Sequence, residues 1–253
     1  MTALLETHGL TITFGGVRAV DHLDLSIERG KLVGIIGPNG AGKTTAIDGI
    51  TGFVPTTGRI TFDGETISTL PAHRRARVGL ARTWQSLELF DDLTVAENLM
   101  VAAESPSWRD VLLDLVWPRR RHDHEAVDRA LVTLGIADLR QRMPNEISQG
   151  QRKLVGVARA LAAEPKLICM DEPAAGLDTE ESILLGSRLR QIVDNGMTIL
   201  LVDHDMGLVL NVCDYIYVIE IGRLIAAGTA SEVARDPHVI EAYLGASHTE
   251  ERP

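Results

Sequence analysis

Cysteine is scarce: only Cys169 and Cys213 occur in 253 residues, and neither stands in a CxxC pair or a metal-spaced cluster. That excludes a disulfide framework and fits a reducing compartment. No stretch reaches the roughly 18 uninterrupted apolar residues of a membrane-spanning helix. Met1 to Leu10 lacks the basic and apolar regions of a signal peptide, so the chain is expected to stay cytoplasmic and outside the bilayer. Basic residues are also in deficit, with 25 Lys and Arg against 35 Asp and Glu, a net charge of -10. Nucleic acid is therefore not an expected partner, since its phosphates need a cationic surface. Two short basic runs, Arg74-Arg75-Ala76-Arg77 and Arg119-Arg120-Arg121, read as solvated surface or as contacts for lipid head groups or acidic loops. Internal repeats and low-complexity tracts are absent. What remains, 45% hydrophobic and 24% charged, is ordinary globular composition with enough length for a large core.

Apolar residues alternate in Leu10-Thr11-Ile12-Thr13-Phe14 and His22-Leu23-Asp24-Leu25-Ser26-Ile27, with Gly15-Gly16 between them, which predicts antiparallel strands. Leu32-Val33-Gly34-Ile35-Ile36 is instead a continuous run that ends in a Gly-rich turn and helix-like sequence from Lys43 to Ile50, as a buried parallel strand feeding a helix would. From Gln85 to Ala163 the periodicity is helical, with a capping box at Thr94 to Glu97 and an insertion over Ser105 to His124 that reads as a loop or helix pair. Leu167 to Met170 and Thr198 to Val202 are strand-length apolar runs around a helix-like stretch from Glu180 to Asn195, a βαβ alternation that implies a parallel sheet. Tyr215 to Ile219 and Leu224 to Ala227 read as a late hairpin, and a final helix is expected near Thr229.

Gly37-Pro38-Asn39-Gly40-Ala41-Gly42-Lys43-Thr44, followed by Thr45, matches GxxxxGK[ST] between a predicted strand and a predicted helix. Glycines let backbone N–H groups converge on phosphate oxygens, and the helix start adds its positive dipole end. Lys43 would reach the β and γ phosphates of ATP, and Thr44 would ligate Mg2+. Asp171-Glu172 closes a buried strand at its carboxyl end, where α/β sheets bind ligands. Asp171 suits water-mediated magnesium binding, and Glu172 suits polarising the water that attacks the γ-phosphate. No Asn-Lys-x-Asp guanine motif accompanies them.

Between those motifs lies Ile147-Ser148-Gln149-Gly150-Gln151, where Ser148 and Gln151 form a capping box and so a second anion-attracting helix start. Here the chain resembles the ABC ATPase family, whose signature is LSGGQ; Ile147 replaces Leu and Gln149 replaces the first Gly. Asp171 follows Gln151 by 20 positions (171 − 151), as the family leads one to expect. The resemblance runs over nearly the whole chain. It implies a P-loop NTPase (RecA-like) α/β core with an antiparallel β subdomain and an inserted α-helical subdomain. It also implies a single ABC ATPase domain over 1–253, with 1–84 and 164–253 forming the core and 85–163 the helical subdomain.

The resemblance further implies that Ser148, Gln149, Gly150 and Gln151 bind the ATP held by the opposite subunit of a dimer. Phe14 matches the aromatic that stacks on adenine, and Gln85 the glutamine that touches magnesium and links sheet to helices. His204 matches the histidine that contacts the γ-phosphate and Glu172. In Ala175-Gly176-Leu177-Asp178, which resembles the loop crossing the dimer interface, Asp178 is the matching residue and Gly176 departs from the commoner Ala. His122 and His124, beside three arginines, read as exposed loop.

Within the family, Ala81-Arg82-Thr83-Trp84-Gln85, the insertion, Asp203-His204-Asp205-Met206 and Val239 to Gly245 resemble the ATPases of branched-chain amino acid importers, although Trp84 replaces their usual Phe. Urea, amide and other amino-acid importers and lipopolysaccharide exporters carry similar chains, and a soluble, non-transport ABC ATPase is the remaining alternative, disfavoured by a single phosphate loop, no sustained heptads and the acidic balance. The implied partners are a second ABC ATPase in a homodimer or heterodimer, transmembrane permease chains and, indirectly, an extracellular solute-binding protein. The implied location is peripheral, on the cytoplasmic face of the membrane.

Overall fold

The structure, a computed structural model, describes residues 3–83, 89–103 and 120–247. Strands β1 (Ala3–Phe14) and β2 (Val17–Glu28) form a long antiparallel hairpin. Gly15 and Gly16 close it at φ 53° and 90°, the two-residue turn whose twist suits the flanking strands. β3 (Leu32–Ile36) leaves this sheet, whereas β4 (Thr57–Phe62) pairs with β1 and the two-residue β5 (Glu65–Thr66) with β4. A second sheet collects β3, β6 (Leu80–Thr83), β7 (Leu167–Asp171), β8 (Thr198–Val202), β9 (Tyr215–Glu220) and β10 (Arg223–Gly228) in the order β10-β9-β3-β8-β7-β6. Every pairing in it is parallel except that of edge strand β10.

Two cores share the second sheet, which is why its central strands are apolar without alternation. In β3, Leu32 and Ile36 join one core while Val33 and Ile35 join the other; β8 divides the same way between Ile199 and Leu201, and Leu200 and Val202. One face is covered by the antiparallel sheet together with α1 (Lys43–Thr51), through Ile12, Leu23, Ile27, Ile47 and Ile50. Helices cover the opposite face, among them α4 (Arg120–Leu134), α5 (Gln149–Ala162) and α6 (Thr179–Asp194). Fully burying each such aliphatic side chain contributes about 1.5–3 kcal/mol.

The helices between these landmarks are α2 (Ala72–Arg77) and α3 (Val95–Ala103); after β8 come α7 (Met206–Val212), α8 (Ala230–Val233) and α9 (Pro237–Ser247). The capping box at Thr94 forms, its amide donating to the Glu97 carboxylate at 2.8 Å while Glu97 N–H reaches the Thr94 hydroxyl at 3.3 Å. Helix α4 starts at Arg120, so the expected insertion gives way to helix before His124; Trp84, Gln85 and most of the 105–124 stretch lie outside the described residues.

Two expectations are corrected. Arg75 is not surface: it is 3% exposed and donates to the Gly49 and Ile50 carbonyls at 2.7 Å each, and to Leu70 and Ser68. It thereby adds donors to carbonyls of the last turn of α1, the end at which a helix runs short of N–H partners. The final helix starts at Thr229 as expected but lasts one turn, and Pro237 then opens a separate helix, since proline suits a first helical turn and not an interior.

Candidate functional site

The loop from Gly37 to Gly42 runs from β3 into α1 and is backed by other backbone on several sides. A side chain at Gly37 would stand 2.0 Å from the Ile219 carbonyl, and one at Gly42, at φ 99°, 2.3 Å from that of Ala19. Only glycine permits such approaches. The β9–β10 turn pins the loop through Gly222 N–H to the Ala41 carbonyl at 2.9 Å. From α9, Tyr243 comes up to the loop, and burial pushes its hydroxyl up to about 12 against the opposing pull of the Gly37 backbone. A cleft of about 850 Å³ separates loop residues 38–41 from His238 and Glu241 of α9.

Lys43, 6% exposed, folds over this loop and donates to the carbonyls of Gly37 at 2.7 Å and Pro38 at 3.0 Å. Burial pulls its ammonium below the usual lysine range, opposed by the negative charge of Glu172, Asp171 and Asp203. A cation held over a glycine-lined loop at a helix start is suited to polyanions. Beside it, the Thr44 hydroxyl donates to Asp171 Oδ1 at 3.1 Å. A hydroxyl and a carboxylate are the hard oxygen donors that magnesium takes when phosphates and waters complete its shell, so these residues fit that ion. Among the described residues, no group of three or more His, Cys, Asp or Glu forms a metal cage. Gln85, the third expected magnesium contact, lies outside the described residues.

Asp171 is 2% exposed, and burial pushes its carboxyl above the ordinary range. The next residue, Glu172, sits at φ 47°, unusual for a side chain other than glycine. It is held there by its N–H to the Val202 carbonyl at 2.7 Å and by Ala175 N–H to its own carbonyl at 3.1 Å. Backbone strain of this kind concentrates at functional sites. His204 follows strand β8 and brings Nδ1 to 3.7 Å from Glu172 Oε2 and 3.6 Å from Asp203 Oδ1. Thus Lys43, Thr44, Asp171, Glu172 and His204 converge at the carboxyl ends of adjacent strands β3, β7 and β8.

Three more charged residues belong here that motif reasoning did not single out. Arg82 reaches Asp171 Oδ2 at 3.2 Å. Asp203, fully buried, accepts from the Ala174 and Asp205 amides at 3.3 and 3.0 Å, tying the His204 turn to the turn after Glu172. Lys153 of α5 is 6% exposed, and burial lowers its ammonium against the pull of Asp203 and Glu172. Asp203 had a sequence signal, since it closes a buried strand as Asp171 does; Lys153 is an ordinary helical residue until α5 is packed on the sheet.

Ser148 caps α5 as expected, its hydroxyl accepting from Gln151 N–H at 3.2 Å and its own N–H donating to Gln151 Oε1 at 2.9 Å. Ser148 and Gln149 are exposed, and Gly150 makes room for the Glu181 side chain at the start of α6. Asp178 is the N-cap of that helix, accepting from Glu181 N–H at 2.8 Å, so the helix start at Ser148 and the loop before Asp178 share one face of the chain. Phe14 is half exposed at the tip of the β1–β2 hairpin, where a ring face is open to stacking.

Residues 20–175 match the ABC transporter family model, and residues 223–249 match that of the branched-chain amino acid ATP-binding cassette transporter. The chain is 39% identical to the high-affinity branched-chain amino acid transport ATP-binding protein BraF of Pseudomonas aeruginosa, over 96% of this chain and 98% of that one. Identity to the lipopolysaccharide export system ATP-binding protein LptB of Escherichia coli is 37%, over 96% and 98%. The ADP conformation of MJ1267, an ATP-binding cassette of an ABC transporter, superposes with a TM-score of 0.86 at 33% identity, covering 97% of this chain and 100% of the other. With phosphate loop, paired carboxylates and capped signature helix in one mixed α/β fold, the chain belongs to the ABC transporter ATP-binding family and is an ATP-hydrolysing transporter subunit.

Proposed function

We propose that this ATPase energises import of branched-chain amino acids or related amino acids and amides through separate permease chains, working as a dimer at the cytoplasmic face of the membrane. The observation that carries the site reading is the convergence of Lys43, Thr44, Asp171, Glu172 and His204, with the Ser148 helix start exposed on the same chain. The reading of import is supported by the match of residues 223–249 and by relatives that serve branched-chain amino acid transport. Lipopolysaccharide-type export is the second reading, because the exporter relative is nearly as similar.

In this reading residues 1–84 and 164–253 form the nucleotide-binding core and 85–163 the helical subdomain. The amides of Gly37 to Thr45 cradle the ATP phosphates, Lys43 neutralises their charge, and Phe14 stacks on adenine. Thr44, Asp171 and Gln85 would hold magnesium, which would supply positive charge to offset that of the phosphates. Glu172 polarises the attacking water, and His204 orients Glu172 and meets the γ-phosphate. Ser148, Gln149, Gly150 and Gln151 face the triphosphate of the partner, with Asp178 at the crossing loop. ATP then binds the closed dimer better than the open one, and its hydrolysis reopens it, moving the permease chains.

Glu172→Gln tests the dimer scheme: it should retain ATP, turn over little and run as a dimer in ATP-magnesium during size-exclusion chromatography. A variant that stays monomeric at saturating nucleotide overturns it. Reconstitution with permease chains and a solute-binding protein in liposomes tests the substrate. ATP-driven uptake of leucine supports import; lipid extraction without uptake favours export.

A further inference from the structure

We propose that Arg82 is a positioning residue for Asp171, fixing which of its two carboxylate oxygens faces Thr44 and thereby setting the affinity of the site for magnesium. The proposal deepens the nucleotide reading above and rests on it. Arg82 lies on β6, one residue before the strand ends, and its side chain is 6% exposed. One guanidinium nitrogen pairs with Asp48 of α1, and the other meets Asp171 Oδ2 at 3.2 Å. The guanidinium carbon also stands 5.6 Å from the centroid of the Phe53 ring. A single planar group thus ties together the helix that follows the phosphate loop, the strand that carries the paired carboxylates and the edge strand β6.

The two oxygens of Asp171 are consequently not equivalent. Oδ2 is held by Arg82, while Oδ1 accepts from the Thr44 hydroxyl at 3.1 Å. With both oxygens engaged, rotation of the carboxylate is blocked, and the face available to a cation is the one it shares with Thr44. Magnesium demands near-ideal octahedral geometry, so a carboxylate free to rotate would serve it less well. Arginine suits this task because its donors lie in a fixed fork that can hold two acceptors at a set angle; lysine offers a point charge and cannot span Asp48 and Asp171 with directed bonds.

A merely structural ion pair would leave the magnesium requirement of a folded variant unchanged. The test is equilibrium binding of a fluorescent ATP analogue, first in EDTA and then across a magnesium titration. Arg82→Gln should bind the analogue in EDTA as wild type does, yet need about 10–100-fold more magnesium for half-saturation, the usual effect of removing a partner behind a metal ligand. Arg82→Lys should recover part of that loss, and Asp48→Asn should show a smaller one. An unchanged magnesium midpoint in folded Arg82→Gln overturns the proposal. If that variant does not fold, unchanged midpoints in both Arg82→Lys and Asp48→Asn overturn it equally. Wild-type binding indifferent to magnesium would overturn the assignment of magnesium to Thr44 and Asp171, and this proposal with it, whereas a wild type that binds no analogue under either condition would overturn the nucleotide reading itself.

Discussion

The side-chain amide of Gln149 lies over Gly176: a Cβ built on Gly176 would stand 2.9 Å from Gln149 Nε2. These are the two positions at which the signature helix start and the loop from Ala175 to Asp178 depart from the pattern the family resemblance implies, one residue larger than usual and the other smaller. Gly176 also adopts φ 78°, where alanine is strained by about 1–2 kcal/mol. Gly176→Ala should therefore lower ATPase turnover several-fold, by straining the loop and displacing the amide. Adding Gln149→Gly should recover the part due to displacement. Additive effects in the double variant would show that the two residues do not communicate.

Lys43→Ala removes a buried cation whose charge-assisted hydrogen bonds are worth about 1.5–3 kcal/mol each. Nucleotide affinity should fall at least tenfold and turnover should vanish, read by equilibrium binding and phosphate release. Wild-type turnover in that variant would remove Lys43 from its role.

Ser148→Ala separates folding from function. Loss of the N-cap should cost about 1 kcal/mol of stability in urea unfolding. ATPase activity and nucleotide-dependent dimerisation should fall far more than so small a destabilisation explains, because Ser148 is exposed and supports little packing. A variant that loses stability but keeps full activity would leave Ser148 as a cap and nothing else.

Asp21 supports the phosphate loop from behind, since its N–H reaches the Gly222 carbonyl at 2.8 Å. Hydrogen bonds from His22 and then Arg223 lower its carboxyl from 3.8 to about 2. A depressed carboxyl stabilises the folded state above its unfolded value, and that contribution is lost as pH falls from 3.8 through about 2. Wild type should therefore lose urea resistance faster than Asp21→Asn across that window, the two curves meeting at its acid end. Parallel curves would show that the ion pairs contribute nothing.

Both thiols should be inert in the folded chain. Burial pushes Cys169 up to about 12 and also raises Cys213, and the thiolate is the reactive form. Alkylation at neutral pH should label neither residue before urea is added and both afterwards; rapid labelling of Cys169 in native protein would contradict the packing of β7.

Much of this architecture is written in local patterns. Leu32 to Ile36 and Thr198 to Val202 are strands at the residues their apolar runs mark, and the capping boxes at Thr94, Ser148 and Thr229 all form. Arg75 was illegible for a physical reason: a basic run looks like solvated surface unless the carbonyls it caps, at Gly49 and Ile50, are known to lie beside it. The single turn of α8 was hidden likewise, because a capping box marks where a helix starts and says nothing of its length.

The order of residues alone specifies the phosphate loop, the capped signature helix and the paired carboxylates, because each depends on the backbone and side chains of a few consecutive positions. Folding brought Arg82, Asp203 and Lys153 to them. Those residues come from separate segments, and only the parallel arrangement of β3, β8, β7 and β6, with α5 packed across it, puts their charges within reach of Asp171 and Glu172. Whether a charged side chain is solvated or does electrostatic work depends on what packs over it, and no stretch of neighbouring residues carries that information.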